Sequence, residues 1–293
     1  MHNISGYFGK KKIKGRYKEM KKKIFYMGML GVIIVCGCSK KTENPGSETM
    51  VLETETTQYG WSMDETKQIF HTDAESGDEE MVLKLTDIDT SLNDSIGSCF
   101  FNENCAFISY FSKEKEEIAV EYSEDGGKSW SKTFVSYKEH GGPNETYLSF
   151  VDKKTGYLLY LSDPATGSMN KILYVSKDGG KTFKEQADIS YEMRNQPCDM
   201  LFFTEQCGFL TTINYGEEAY LYQTEDGGIT WSPVELNVPK IEEFSYVNGV
   251  SLEKAENSNE QATLTVKGVG VTENVYLKFV TKDSGKTWNL SEE

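Results

Sequence analysis

Short runs of β-branched and aromatic residues, each broken by a polar turn, recur along the chain in one register. Ile69-Phe70-x-Thr72, Leu173-Tyr174-x-Ser176, Leu221-Tyr222-x-Thr224 and Lys278-Phe279-x-Thr281 align, with Val120-Glu121-x-Ser123 a looser member. Further upstream, Phe100 to Phe107, Phe150 to Tyr157 and Phe202 to Phe209 each read as strand, polar turn, strand. Apolar runs this short, bounded by turn residues, predict antiparallel hairpins and not helices. Gly60-Trp61, then Gln68 to Asp73 and Ser76-Gly77, follows the same order with a longer, degenerate turn, and is expected to form one more unit.

Directly after the aligned runs comes one turn motif in four copies: Ser123-Glu-Asp125-Gly-Gly127-Lys-Ser129-Trp130, Ser176-Lys-Asp178-Gly-Gly180-Lys-Thr182-Phe183, Thr224-Glu-Asp226-Gly-Gly228-Ile-Thr230-Trp231 and Thr281-Lys-Asp283-Ser-Gly285-Lys-Thr287-Trp288. The aspartates lie 53, 48 and 57 residues apart, the interval of one four-stranded propeller blade with its loops. Asp and Ser/Thr accept hydrogen bonds from amides of their own turn, and glycine tolerates φ > 0. The closing aromatic can fold back as a buried wedge. The expectation is an all-β propeller of about five four-stranded blades, residues 49–92, 93–142, 143–192, 193–240 and 241–293, with these turns between third and fourth strands.

On these residues the chain resembles the Asp-box, or BNR, repeat of sialidase-type and photosystem-assembly-factor-type (Ycf48-like) β-propellers, over roughly residues 49–293. The resemblance implies that Asp125, Trp130, Asp178, Phe183, Asp226, Trp231, Asp283 and Trp288 are scaffold at the blade periphery, away from the central ligand face. It implies no particular activity, because the same turn serves glycosidases, sorting receptors and assembly factors. Five blades is fewer than the family commonly carries.

The N-terminus adds an address. Lys21 to Lys23 precede an apolar stretch, Ile24 to Val35, that is too short to span a bilayer and fits an export signal. Val35-Cys36-Gly37-Cys38-Ser39 resembles the bacterial lipoprotein signal, which implies lipidation of Cys38 as the new N-terminus. The expected organisation is a signal peptide over 1–37, with translation starting at Met20, a lipidated tether over 38–48, and the propeller over 49–293. The expected location is the extracytoplasmic face of a bacterial membrane, held by that lipid. Charge agrees with a body that faces solvent. Nine of the 31 basic residues but one of the 46 acidic ones lie before residue 38, leaving 22 against 45, a net of −23. Such a body repels nucleic acid, so a nucleic-acid partner is excluded.

Candidate chemistry is thin. Sialidases hold their substrate with three arginines, and this chain has Arg16, ahead of the cleavage point, and Arg194. Lysine offers a point charge and not a bidentate fork, so the clamp is lost. Loop carboxylates Glu139, Glu145, Asp163, Glu192, Asp199 and Glu243 could in principle supply a glycosidase pair, and an acidic chain always offers such pairs. His71 and His140 lie in different blades without companions at ligand spacing, so no metal is expected, and no cofactor fingerprint occurs. Outside the signal are Cys99, Cys105, Cys198 and Cys207. Each upstream cysteine faces its neighbour across a predicted first hairpin, which favours disulfides Cys99–Cys105 and Cys198–Cys207 among three pairings, free buried thiols being the alternative. Tyr137, Tyr147, Tyr191 and Tyr246 are candidate ligand contacts. The function expected is non-catalytic binding of a protein partner or a glycan, possible analogy to assembly factors included; the alternative is a glycoside hydrolase of sialidase-like fold.

Overall fold

The computed structural model describes residues 58–90, 96–164, 169–213, 220–239, 244–256, 258–270 and 274–291. The signal, Met20, Cys38, the tether and Glu243 lie outside them. The described strands form five antiparallel sheets in sequence order. The first holds β1 (Trp61–Met63), β2 (Gln68–Thr72) and β3 (Glu79–Lys84). The second holds β4 (Gly97–Asn102), β5 (Cys105–Ser112), β6 (Glu117–Ser123) and β7 (Ser131–Val135). The third holds β8 (Pro143–Phe150), β9 (Gly156–Ser162), β10 (Lys171–Ser176) and β11 (Lys184–Asp188). The fourth holds β12 (Pro197–Phe202), β13 (Gly208–Thr212), β14 (Leu221–Thr224) and β15 (Ser232–Pro233). The fifth holds β16 (Phe244–Lys254), β17 (Ala262–Gly270), β18 (Asn274–Thr281) and β19 (Asn289–Leu290). Each strand pairs with the next, and no helix occurs among the described residues. This is a five-bladed β-propeller.

First strands pack on first strands, β4 on β8, β8 on β12 and β12 on β16, so these edges line the axis. The first sheet has three described strands, not the four expected of a blade. Its β1 opens with Gly60-Trp61, as the second strands β9 and β13 open with Gly156-Tyr157 and Gly208-Phe209, so β1 occupies a second-strand position. The ring closes where the turn before β1 meets the end of β16. There Tyr59 donates its amide to Glu256 Oε1 at 2.7 Å and its hydroxyl to the Glu256 carbonyl at 2.8 Å.

The seams between blades explain the sequence register. At three seams an aromatic near the start of a second strand, or of β1 in its place, stacks on a phenylalanine of the next blade's first strand: Trp61 on Phe100 at 6.0 Å, Phe107 on Phe150 at 3.5 Å, Tyr157 on Phe202 at 3.7 Å, all within 9° of parallel. Phe209 instead meets Trp288 of the fifth blade edge-on. Gly156 and Gly208 open β9 and β13 because a Cβ there would fall 2.4 and 2.6 Å from Phe150 and Phe202. Rings of this size remove large apolar areas from water and lock neighbouring blades together.

Candidate functional site

The four boxes sit between third and fourth strands and share one hydrogen-bond pattern. In the fourth blade Thr224 Oγ1 accepts from the Gly228 amide at 2.8 Å and donates to Asp226 Oδ1 at 2.8 Å. Asp226 then accepts from the Thr230 amide at 3.0 Å and the Thr230 hydroxyl at 2.6 Å. Asp125, Asp178 and Asp283 repeat this with Ser129, Thr182 and Thr287. The hydroxyls of Ser129 and Thr287 are the main reason the Asp125 and Asp283 carboxyls stay below the ordinary range. At Asp178 and Asp226 burial pushes upward, and the turn bonds outweigh it. Asp73 in the first blade keeps only a remnant, accepting from the amides of Glu75 and Ser76. Carboxylates whose oxygens are taken by their own turn hold backbone.

The closing aromatics are buried or half-buried. Trp130 meets Trp61 edge-on at 6.0 Å and Trp288 meets Phe209 at 5.6 Å, each across a seam. Trp231 packs within its own blade against Phe202 at 6.1 Å, and Phe183 against the core of the second and third blades.

The disulfide expectation fails. All four described cysteines are free thiols. The register is the cause: Cys99 stands opposite Phe107 while Cys105 pairs with Asn102, so the two never face each other. In the fourth blade a register shift between Pro197 and Asp199 takes Cys198 out of the ladder, and Cys207 sits in the turn after β12. Cys105 and Cys207 cap first hairpins, their amides donating to Asn102 Oδ1 and Thr204 Oγ1. Cys99 and Cys198 line the axis. Burial raises both thiols, Cys99 to about 11 and Cys198 to about 12, so neither is a nucleophile at neutral pH.

The candidate site is this axis. Of the six loop carboxylates, Glu145 and Asp199 are not on loops: they lie on the first strands β8 and β12. Glu145 accepts from the Tyr147 hydroxyl at 2.5 Å and from Gln196 Nε2 at 3.2 Å. Tyr147 also donates to the Pro197 carbonyl at 3.3 Å, and burial followed by the Glu145 charge pushes its hydroxyl pKa far up. Asp199 accepts from the Met200 amide and, across the seam, from the Leu252 amide, each at 2.7 Å. Lys254 ends β16 with its ammonium 5.9 Å from the Phe101 ring centre, beside Cys99, and burial lowers its pKa. Sequence reasoning missed Lys254, Gln196 and the axial thiols. The signal was their place on or next to first strands, which the short aligned runs do not mark.

The remaining candidates scatter. Glu139, Asp163 and Glu192 are exposed, and Glu192 takes the Trp231 amide at 3.4 Å. His140 bonds Glu185 at 3.0 Å, and His71 packs on Trp61 at 4.4 Å. Tyr137 stacks on Tyr160 at 5.3 Å as packing. Tyr246 belongs to β16. No group of three acidic, histidine or cysteine side chains poised for a metal occurs among the described residues. No described helix is long and apolar enough to cross a membrane.

The BNR/Asp-box repeat family matches residues 121–132, the box joining β6 to β7. The chain is a five-bladed β-propeller that carries an Asp-box repeat. No curated protein matches the chain. Among solved structures it is similar to a GH74 enzyme of Niastella koreensis, at 11% identity over 78% of this chain and 43% of that one, TM-score 0.48. It is also similar to a GH74 xyloglucanase from Xanthomonas campestris, at 14% identity over 80% and 36%, TM-score 0.48. A third is YCF48 from Cyanidioschyzon merolae, at 11% identity over 78% and 80%, TM-score 0.37. The chain spans less than half the length of the two GH74 enzymes. The activities named for those proteins are theirs alone.

Proposed function

We propose that this Asp-box propeller is an exported binding module, anchored by a lipid on Cys38, that holds a protein or carbohydrate ligand without turning it over. The observation that carries the reading is Tyr191, 95% exposed on the loop from β11 to β12 while its flanks Ile189 and Met193 are 0% and 2% exposed. The Glu192 amide closes a turn onto the Ile189 carbonyl at 3.1 Å. A rigid aromatic ring held out on pinned backbone is what a binding anchor requires, since little entropy is lost on contact. Arg194, exposed three residues on, adds a guanidinium fork.

Hydrolysis fits less well. A glycosidase needs one carboxylic acid and one carboxylate free to meet the scissile bond. The axial pair is instead committed, Glu145 to Tyr147 and Gln196, Asp199 to two amides. Glycan-array and pull-down screens with the exported protein test the reading. Tyr191→Ala is expected to weaken capture by tenfold or more, about 1.4 kcal/mol or above, with an unchanged melting temperature. Release of sugar from a bound glycan, or capture indifferent to Tyr191, would overturn it.

A further inference from the structure

Asp199 occupies an unusual position on the axis. It leads the fourth blade's first strand just after the register shift, half-buried, and its two oxygens reach different blades: Oδ1 takes the Met200 amide of β12 and Oδ2 the Leu252 amide of β16. No cation lies within ion-pair distance of it among the described residues. The groups whose charges it feels are an acid, a phenol and two thiols: Glu253 of β16, Tyr147 of β8, Cys99 of β4 and Cys198 of its own strand, with Glu145 acting on Tyr147 and Cys198. The Lys254 ammonium acts on Cys99.

We propose that Asp199 is a proton-operated joint between the fourth and fifth blades, its carboxyl gaining or losing one proton while it spans the seam. Two opposed effects meet at this one group. An ionised carboxylate is the better acceptor for both amides, whereas a protonated one has a hydroxyl on one oxygen and weakens the bond to one blade. Against ionisation stand removal from water and the nearby Glu253 charge. Burial dominates, the Leu252 and Met200 amides oppose it, and the carboxyl is pushed up to about 7. The seam bond to Leu252 is therefore strengthened by the same proton loss that places an uncompensated charge on the axis.

The sign of the linkage follows. In the unfolded chain this carboxyl ionises near the usual ~3.9, so between about pH 4 and 7 the folded protein holds a proton that the unfolded chain releases. Its contribution to stability is full below that window, falls as pH rises through it and is constant above. The folded-to-unfolded ratio should fall by up to tenfold per pH unit between about pH 5 and 7 through this one group.

Wild type and Asp199→Asn are compared by denaturant titration at pH 5, 6, 7 and 8, alongside carboxyl-carbon and amide NMR of the wild-type protein. The expected results are a slope reduced in Asp199→Asn, a carboxyl signal with a midpoint near neutrality that the variant lacks, and a Leu252 amide shift following the same midpoint. A carboxyl titrating in the ordinary acid range, a Leu252 amide blind to it, or an unchanged slope in the variant would overturn the joint. Should Asp199→Asn fail to fold, the wild-type carboxyl and Leu252 titrations decide alone. Ligand capture is not part of the readout, so failure here leaves the binding reading standing.

Discussion

The glycine two residues after each box aspartate lies against the preceding blade, and the four copies differ there in a way that makes a controlled test. Gly228 has φ 90°, and a Cβ on it would fall 2.1 Å from Leu173 Cδ2, a side chain fully buried in the third blade. Gly180 has φ 83°, but its Cβ would meet nothing nearer than Phe107 at 3.5 Å, ordinary contact. Gly180→Ala should therefore cost only the left-handed backbone, about 1–2 kcal/mol. Gly228→Ala should add displacement of Leu173 from a packed core, about 1–3 kcal/mol more. For a domain of this size, about 2–4 °C per kcal/mol puts Gly180→Ala some 2–8 °C down and Gly228→Ala roughly 4–20 °C down. Thermal unfolding followed by far-ultraviolet circular dichroism reads both, with the pairwise difference as the robust quantity. Equal losses, or a larger loss at Gly180, would refute the claim that boxes are keyed into the neighbouring blade through this glycine.

Asp226→Ala removes the acceptor for the Ile229 and Thr230 amides, but that turn is exposed and water can replace it, so the loss should be only about 1–2 kcal/mol by denaturant titration. Ligand capture by the folded fraction should survive; capture lost at unchanged stability would move the boxes into the functional face. Peptide mapping without reduction should recover Cys99, Cys105, Cys198 and Cys207 as separately labelled thiols, and a Cys99–Cys105 peptide would show the β4–β5 register to be wrong. Cys38→Ala should abolish incorporation of labelled lipid, and unchanged labelling would remove the anchor from the proposal.

Much of the fold was legible because the repeat is a local device. Box residues satisfy one another within a single turn, as Thr224, Asp226, Gly228 and Thr230 do, so their identities survive wherever the turn occurs. The aromatics Trp61, Phe107 and Tyr157 recur in register because each stacks on a phenylalanine of the next blade, which fixes both partners. The first blade read more faintly because its box keeps Asp73 without the full hydroxyl pattern around it, and β1 enters as a second strand.

The axis was illegible for a different reason. A first strand in a propeller pairs on one edge only, and its composition answers to the neighbouring first strands, which are distant in sequence: Tyr147 to Pro197, Gln196 to Glu145, Asp199 to Leu252. Polar residues there look like loop residues, which is why Glu145 and Asp199 read as loop carboxylates. The same blindness explains the cysteines, because Cys99 answers to the Phe150 amide and Cys198 to the Gly249 carbonyl, each in the next blade, and not to a partner in its own hairpin. Pairing within a hairpin could be inferred from spacing, whereas pairing across the seam depends on how far each blade is rotated about the axis.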